Sequence, residues 1–283
     1  MVVEPLISFA VPVKNGETYI HACLSSILKS VGDITNFEIL VSDNNSSDQT
    51  LKEISKIHDT RIRILKPSKE ISIGENWTFA SKEARGKYFK LVGADDLLCA
   101  NSIQKEIALL ESNPNAVAVV SRRLIIGSQG QILLKSRGYG HYLSLVKGTD
   151  AIKKIWNSGT NLLGDPSAIL FKNQIVQEYL PWESDGYPYV VDLSLYLKIF
   201  ASHSFIVSGD IVSEFRIHSN SVTGSTLLGH AKQFLTLYEK TSSKSSYSIF
   251  RVYSAAYLLQ TTKLIFLIYL KIVDNFRRLI GKH

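Results

Sequence analysis

The apolar positions of this chain fall into short solid runs separated by longer stretches with helical spacing. Leu6 to Val11 is an apolar run, interrupted only by Ser8, that stops at Pro12. That is the pattern of a strand buried on both faces and followed by a loop, Pro12 to Gly16. Tyr19, Ile20, Cys23, Leu24, Ile27, Leu28 and Val31 recur three and four residues apart and predict a helix with one apolar face. Phe37 to Val41 reads as a second strand that delivers the polar turn Ser42 to Ser47. A capping box of Ser46 and Gln49 there predicts the start of a helix carrying Leu51, Ile54 and Ile57. Further strands are expected at Ile62 to Leu65, Tyr88 to Val92 and Val117 to Val120, with helices at 74–84 and 102–111 between them. Strand and helix alternating in this way predict an α/β fold with a doubly wound, mostly parallel sheet.

The pattern changes after Ser121. Gly127-Ser-Gln-Gly130 has hairpin-turn composition, and the glycines and tyrosines of Arg137 to Tyr142 read as an irregular loop suited to a partner-facing edge. A helix is expected over Ile152 to Trp156, a strand over Ala168 to Phe171, a helix over Asp192 to Phe200, and one or two strands over Phe205 to Phe215. From about Tyr247 the chain is strongly apolar with basic punctuation. The uncharged run between Lys263 and Lys271 is far shorter than the ~20 residues that span a bilayer. The tail is therefore either an interfacial amphipathic helix or a helix packed on the core or on a second copy in a homodimer.

Composition narrows the partners. With 283 residues and 45% apolar content the chain can bury a sizeable core, and its net charge of +7 points to an anionic partner. The basic residues are spread along the chain, without the basic and aromatic clustering of a nucleic-acid surface, so a phosphate ligand or an acidic membrane surface is expected instead. Cys23 and Cys99 stand far apart in apolar patterns and read as small core residues rather than a disulfide or metal site. The first residues lack a signal-peptide pattern, which gives a cytoplasmic expectation.

Candidate chemistry centres on Gly86-Lys-Tyr-Phe-Lys-Leu-Val-Gly-Ala-Asp-Asp-Leu-Leu98. A short buried strand runs out into two carboxylates, Asp95 and Asp96, and then into a helix. In open α/β sheets ligands bind outside the carboxyl ends of strands, where a carboxylate can hold a cation facing a phosphate. The plainer reading is a turn with a capping acid.

Four stretches decide between these readings. They are Ile7-Ser-Phe-Ala-Val-Pro-Val-Lys-Asn-Gly-Glu17; Phe37-Glu-Ile-Leu-Val-Ser-Asp-Asn-Asn-Ser-Ser-Asp-Gln-Thr50; Gly74-Glu-Asn-Trp-Thr-Phe-Ala-Ser-Lys-Glu-Ala-Arg-Gly-Lys-Tyr88; and Leu91-Val-Gly-Ala-Asp-Asp-Leu97. In order and spacing they resemble the family 2 glycosyltransferases, whose core is a GT-A fold. The resemblance covers roughly the first 120 residues, with sparser support around Asp192 and Arg216-Ile-His218. It implies an inverting transfer of a single sugar from a nucleotide diphosphate donor to a glycan acceptor, with a lipid-linked glycan of bacterial surface polysaccharide as the acceptor class. A UDP-sugar is the default donor, with CDP, GDP or dTDP as the alternatives. The implied division is a nucleotide-sugar-binding core at 1–120, an acceptor-side and catalytic-base region of the same domain at 121–245, and an amphipathic helical tail at 246–283, for which peripheral membrane contact and packing on the core or on a second copy are the two alternatives.

By the same resemblance Pro12, Val13, Asn15 and Glu17 flank the base and ribose, and Asp43 and Asn44 contact the base. Asn76 meets ribose or phosphate. Asp95 holds Mn²⁺ or Mg²⁺, and His218 returns to the metal. Asp96 orients the sugar or caps the next helix. Arg216, expected on the opposite strand face, serves the diphosphate or the fold. Asp192 is the expected base, with Glu183 and Asp185 as rivals and a helix-dipole acid as its plainer role. One departure stands out: the family's Asp-x-Asp motif has Gly93 at its first position here. An inert nucleotide- or glycan-binding module of the same fold is the alternative this raises. The sequence shows neither the Gln-x-x-Arg-Trp segment and spanning helices expected of a processive synthase nor, at Pro12 to Gly16, the Gly-x-Gly-x-x-Gly turn expected of a dinucleotide oxidoreductase.

Overall fold

A computed structural model describes residues 4–183, 187–218, 229–241, 249–259 and 261. The tail beyond residue 261 and the rival base Asp185 lie outside the described residues.

The amino-terminal half follows the alternation in the sequence. Strands β1 (Ile7–Val13), β2 (Phe37–Asp43), β3 (Ile62–Leu65) and β4 (Tyr88–Leu91) alternate with helices α1 (Ile20–Ser30), α2 (Thr50–Ser55) and α3 (Ile73–Lys82). The strands lie side by side in parallel in the order β3-β2-β1-β4. On β1, Phe9, Val11 and Val13 face the helices α1, α2 and α4 (Ser102–Ser112), while Ala10 faces α3 on the opposite side. Both faces are covered by helices, which is why the strands read as solid apolar runs rather than as alternations.

Beyond β4 come the two-residue β5 (Leu97–Leu98), the long β6 (Ala116–Ile126), β7 (Ile132–Arg137) and β8 (Ser144–Lys147). Then follow α5 (Gly148–Ser158), a 3₁₀ turn at Pro166–Ala168, β9 (Ile169–Lys172), α6 (Asn173–Tyr179), α7 (Val191–Phe200), β10 (Ser204–Arg216) and α8 (His230–Thr241). The central sheet is completed by β9, which runs antiparallel between β4 and β6, while β10 runs parallel to β6. The turn at Gly127 to Gly130 closes the β6–β7 hairpin as expected.

Three local expectations are corrected. Pro12 does not end β1. The strand continues through it, paired to Ser42 of β2 alone, because the ladder to β4 stops at Ala10 and no bond on that side needs an N–H from Pro12. Ser46 does not cap α2: its hydroxyl accepts from the Asn15 N–H at 2.9 Å, and the N-cap position is Gln49. The capping box belongs instead to α3, where Ser72 Oγ accepts from Glu75 N at 3.3 Å and the Glu75 carboxylate accepts from Ser72 N at 2.7 Å. Asp96 caps no helix, since β5 and Asn101 intervene before α4.

Candidate active site

The carboxyl end of β4 meets the carboxyl end of β10. Asp95 Oδ2 and His218 Nε2 lie 2.9 Å apart. The Arg216 side chain donates from Nε to the Asp95 carbonyl at 2.8 Å and from Nη1 to the Gly127 carbonyl at 3.0 Å. Arg216 and His218 thus both turn to Asp95. The expectation that Arg216 takes the opposite face is wrong, because residues two apart on an extended chain share a face. The guanidinium also lies over the Tyr19 ring, which packs against His218.

Asp96 is buried and its two oxygens are occupied: Oδ1 accepts from the Arg216 N–H at 3.0 Å and Oδ2 from Ser167 Oγ at 2.7 Å. Burial, reinforced by the charges of Asp95 and Asp165, raises its carboxyl well above the ordinary range. Asp96 is therefore the staple that ties β4, β10 and the 3₁₀ turn together. Gly93 packs against both acids; a Cβ there would meet Asp96 Oδ2 at 2.8 Å and Asp95 Oδ1 at 3.2 Å. A first motif acid at this position would displace the Asp96 staple. The remaining donors, a carboxylate oxygen and an imidazole nitrogen side by side, suit Mn²⁺ or Mg²⁺ completed by phosphate oxygens and water. Among the described residues no cluster of three or more metal-ligating side chains occurs.

Asp192 stands at the first turn of α7. Its Oδ2 accepts from Asn161 Nδ2 at 2.7 Å and its Oδ1 from the Leu193 N–H at 2.7 Å. Burial, assisted by the nearby charge of Asp165 and opposed by these hydrogen bonds and Arg123, pushes its pKa up to about 7. Asp192, Asp95, Asp96, Asp165, Arg123 and Arg216 all line one cavity of about 300 Å³. A carboxyl poised near neutrality on the same wall as a second acid, Asp95, is chemically able to take a proton from a hydroxyl.

The rival Glu183 is disposed differently. Lys198 Nζ at 2.6 Å, Lys240 Nζ at 3.2 Å and the Tyr187 hydroxyl at 3.1 Å all donate to it. These contacts, led by Lys198, lower its pKa to about 2, too weak a base for an alcohol. Glu183→Gln is expected to leave kcat within about threefold and to cost about 1 kcal/mol of stability. Steady-state rates and thermal unfolding check both.

The residues expected at the nucleoside sit one and two strands away, at the ends of β1 and β2, and outside the lining of this cavity. Val13 pairs with Asp43 in register. Asp43 is fully buried, with Oδ1 accepting from Ser46 N at 3.4 Å and Oδ2 unpartnered among the described residues. Asn15 Oδ1 accepts from Ser47 N at 2.9 Å, and a Glu17 carboxylate oxygen accepts from Gln49 N at 2.8 Å, so the loops after β1 and β2 are laced together. Asn44 makes a two-way bridge to the Ile71 backbone, and Asn76 exchanges hydrogen bonds with Ser42. Both asparagine side chains brace α3 and its approach against β2.

The sequence profile of glycosyl transferase family 2 matches residues 8–179, more than half of the chain. The chain belongs to glycosyl transferase family 2. The uncharacterized protein MT1568 from Mycobacterium tuberculosis is 27% identical over 207 residues, covering 69% of this chain and 62% of its own length. The Escherichia coli UDP-Glc:alpha-D-GlcNAc-diphosphoundecaprenol beta-1,3-glucosyltransferase WfgD is 32% identical over 108 residues, 38% of this chain and 42% of that protein. The match therefore spans less than two thirds of these relatives. Among solved structures, Staphylococcus aureus TarS 1-349 in complex with UDP-GlcNAc superposes with a TM-score of 0.62 at 16% identity, covering 84% of this chain and 74% of that one. The mannosyltransferase PcManGT from Pyrobaculum calidifontis, in complex with GDP-Man and Mn²⁺, gives 0.59 at 15% identity, covering 90% and 69%. These likenesses establish the GT-A fold.

Several residues of this family 2 site carried no local signal. Asn161 and Ser167, which hold Asp192 and Asp96, lie in unremarkable turns. Lys90, in the middle of the buried β4, forms a fully buried ion pair with Glu106 of α4 at 3.0 Å and donates to the Ser167 carbonyl at 3.1 Å. A charged residue inside an otherwise apolar strand run was the available clue to that pair.

Proposed function

We propose that this chain is an inverting glycosyltransferase that moves one sugar from a nucleoside diphosphate donor to a hydroxyl of a glycan acceptor, with lipid-linked glycans as the acceptor class. The observation that carries the reading is the placement of Asp192, with a pKa of about 7, on the cavity that Asp95 also lines, with His218 2.9 Å from Asp95. Family membership and the nucleotide-sugar named in the TarS structure support the donor class, and the acceptor printed in the WfgD name supports the lipid-linked one.

In the reaction the acceptor hydroxyl gives its proton to the Asp192 carboxylate while its oxygen bonds to the anomeric carbon. The bond from that carbon to the diphosphate oxygen breaks, and the nucleoside diphosphate leaves with the electron pair. Asn161 and the Leu193 N–H keep the carboxylate aimed and acceptor-ready. Asp95 and His218 would hold Mn²⁺ or Mg²⁺, which supplies positive charge against the developing diphosphate. Pro12, Val13, Asn15 and Glu17 frame the nucleoside, and Asp43, through its unpartnered oxygen, accepts from a base N–H. Asn44, Asn76, Asp96 and Arg216 keep these loops in register. A peripheral membrane position through the tail is part of the proposal. Among the described residues no helix is long and apolar enough to cross a membrane.

The test is thermal unfolding with UDP, CDP, GDP and dTDP, each with Mn²⁺, Mg²⁺ or chelator. At 100 times Kd a ligand adds about 2.7 kcal/mol, which raises Tm by about 5–10 °C in a chain of this size. One nucleotide is expected to do so, and more strongly with metal. No shift with any of them sinks the donor reading. Gly93 in the metal motif favours one second reading, an inert binding module. A nucleotide that binds while no sugar donor turns over would select it.

A further inference from the structure

The cavity carries a basic pair that the reaction above does not use. Arg123 of β6 and Arg137 of β7 are cross-strand partners in the hairpin, and both line the cavity that holds Asp192. Arg123 is 7% exposed, and its Nε meets Asp165 Oδ2 at 2.5 Å, in angles that make no hydrogen bond; Nε and Nη1 lack a hydrogen-bond partner among the described residues. Gly164 leaves it room: a Cβ there would stand 2.2 Å from Arg123 Nη1. Arg137 is half-buried and has no hydrogen bond or ion pair among the described residues. Burial and the neighbouring Arg123 charge both work against its guanidinium, while Tyr189 and Asp165 help to hold it. The two guanidiniums stand beside two carboxylates, Asp165 and Asp192. Arg123 keeps Nε and Nη1 buried without a hydrogen bond while the half-buried Arg137 stands opposite it, and an anion bridging the two forks would satisfy those groups.

We propose that Arg123 and Arg137 form an acceptor-side phosphate subsite, binding a phosphate or diphosphate group carried by the acceptor beside the hydroxyl that Asp192 deprotonates. The forked donors of arginine match phosphate oxygens two at a time. The subsite lies with Asp192 and Asp165 on the hairpin side of the cavity, whereas Asp95 and His218 provide for the donor diphosphate at the strand ends. This inference rests on the transferase reading and adds to it that the acceptor is recognised through an anionic linkage and not through its sugar alone.

The experiment uses the full chain saturated with whichever nucleoside diphosphate binds it, and titrates glucose 1-phosphate, with glucose as the uncharged control. Wild type is expected to bind glucose 1-phosphate and not glucose. Arg137→Gln is expected to weaken that binding by about 10- to 100-fold, and to leave nucleoside diphosphate affinity within about twofold. Arg137→Lys, which keeps charge but not the fork, falls between. Unchanged Tm in both variants shows that the fold is intact. If glucose 1-phosphate binds no better than glucose, the subsite does not exist. If Arg137→Gln weakens the nucleoside diphosphate instead, the arginines serve the donor and the proposal is overturned. Should no nucleoside diphosphate bind, the transferase reading falls by itself. Glucose 1-phosphate titrated into the free chain then still decides for or against the arginine pair.

Discussion

Asp192→Asn abolishes most of the transfer activity and leaves donor binding in place. General-base catalysis contributes about 10²–10⁴-fold, and that is the expected fall in kcat, with the nucleoside diphosphate Kd unchanged. The asparagine cannot accept a proton, and nothing nearby replaces it: Asp165 is paired with Arg123, and Glu183 is held by two lysines. In wild type, kcat/KM should fall about tenfold per pH unit below about 7, where Asp192 becomes protonated. Activity that survives the substitution, or a profile flat between pH 5 and 8, removes Asp192 from the role.

The same residue makes a stability prediction of definite sign. Its folded pKa of about 7 lies above the ordinary 3.8, so the folded chain holds the proton more tightly than the unfolded one. Its contribution is full below the ordinary value and is lost as pH rises through about 7. The Tm of Asp192→Asn relative to wild type should therefore climb between pH 4 and pH 8, by no more than about 4 kcal/mol in free energy. The gain is smaller in practice because the new amide sets one donor against Asn161 Nδ2 or the Leu193 N–H.

The second large effect concerns Lys90. Lys90→Met leaves Glu106 buried without its cation, and breaking a buried pair from one side costs about 3–5 kcal/mol, out of a total stability of about 5–15 kcal/mol. Tm is expected to fall by about 10 °C or more. Burial already raises the Glu106 carboxyl above its ordinary value, although Lys90 and Ser121 oppose this. Without Lys90 it rises further, so the variant is least unstable at acid pH and its deficit grows as pH increases through the folded value. The double variant Lys90→Met with Glu106→Leu should recover much of the loss, because an apolar pair of similar volume removes both charges. Equal unfolding of the single and double variants would show that the pair is not what holds β4 to α4.

Legibility in the sequence followed the range of the interactions. The strands β1 to β4 and the helices between them could be read because each reflects its own burial pattern, and the family motifs sit in the loops directly after those strands. The capping box was misplaced because Ser46 and Ser72 carry the same short signal, and only the neighbour across the loop, the Asn15 N–H, decides which serine is free to cap. The apolar run at 168–171 announced a strand without saying that it would slot antiparallel between β4 and β6. Partner choice in a sheet depends on crossovers far away in the chain.

By itself, then, the sequence determined the α/β alternation, the family and the acids Asp95 and Asp192 as candidates, since periodicity and short motifs are local properties of the chain. Tertiary structure alone decided what those acids meet. It brought His218 to Asp95 across 123 positions, Asn161 to Asp192 across 31, and Lys90 to Glu106 inside the core. It also separated Asp192, near pKa 7, from Glu183, near 2, two carboxylates only nine positions apart. The reason is physical: a carboxyl's acidity and a loop's contacts are set by burial and by the charges that folding gathers around it, and no stretch of sequence contains either.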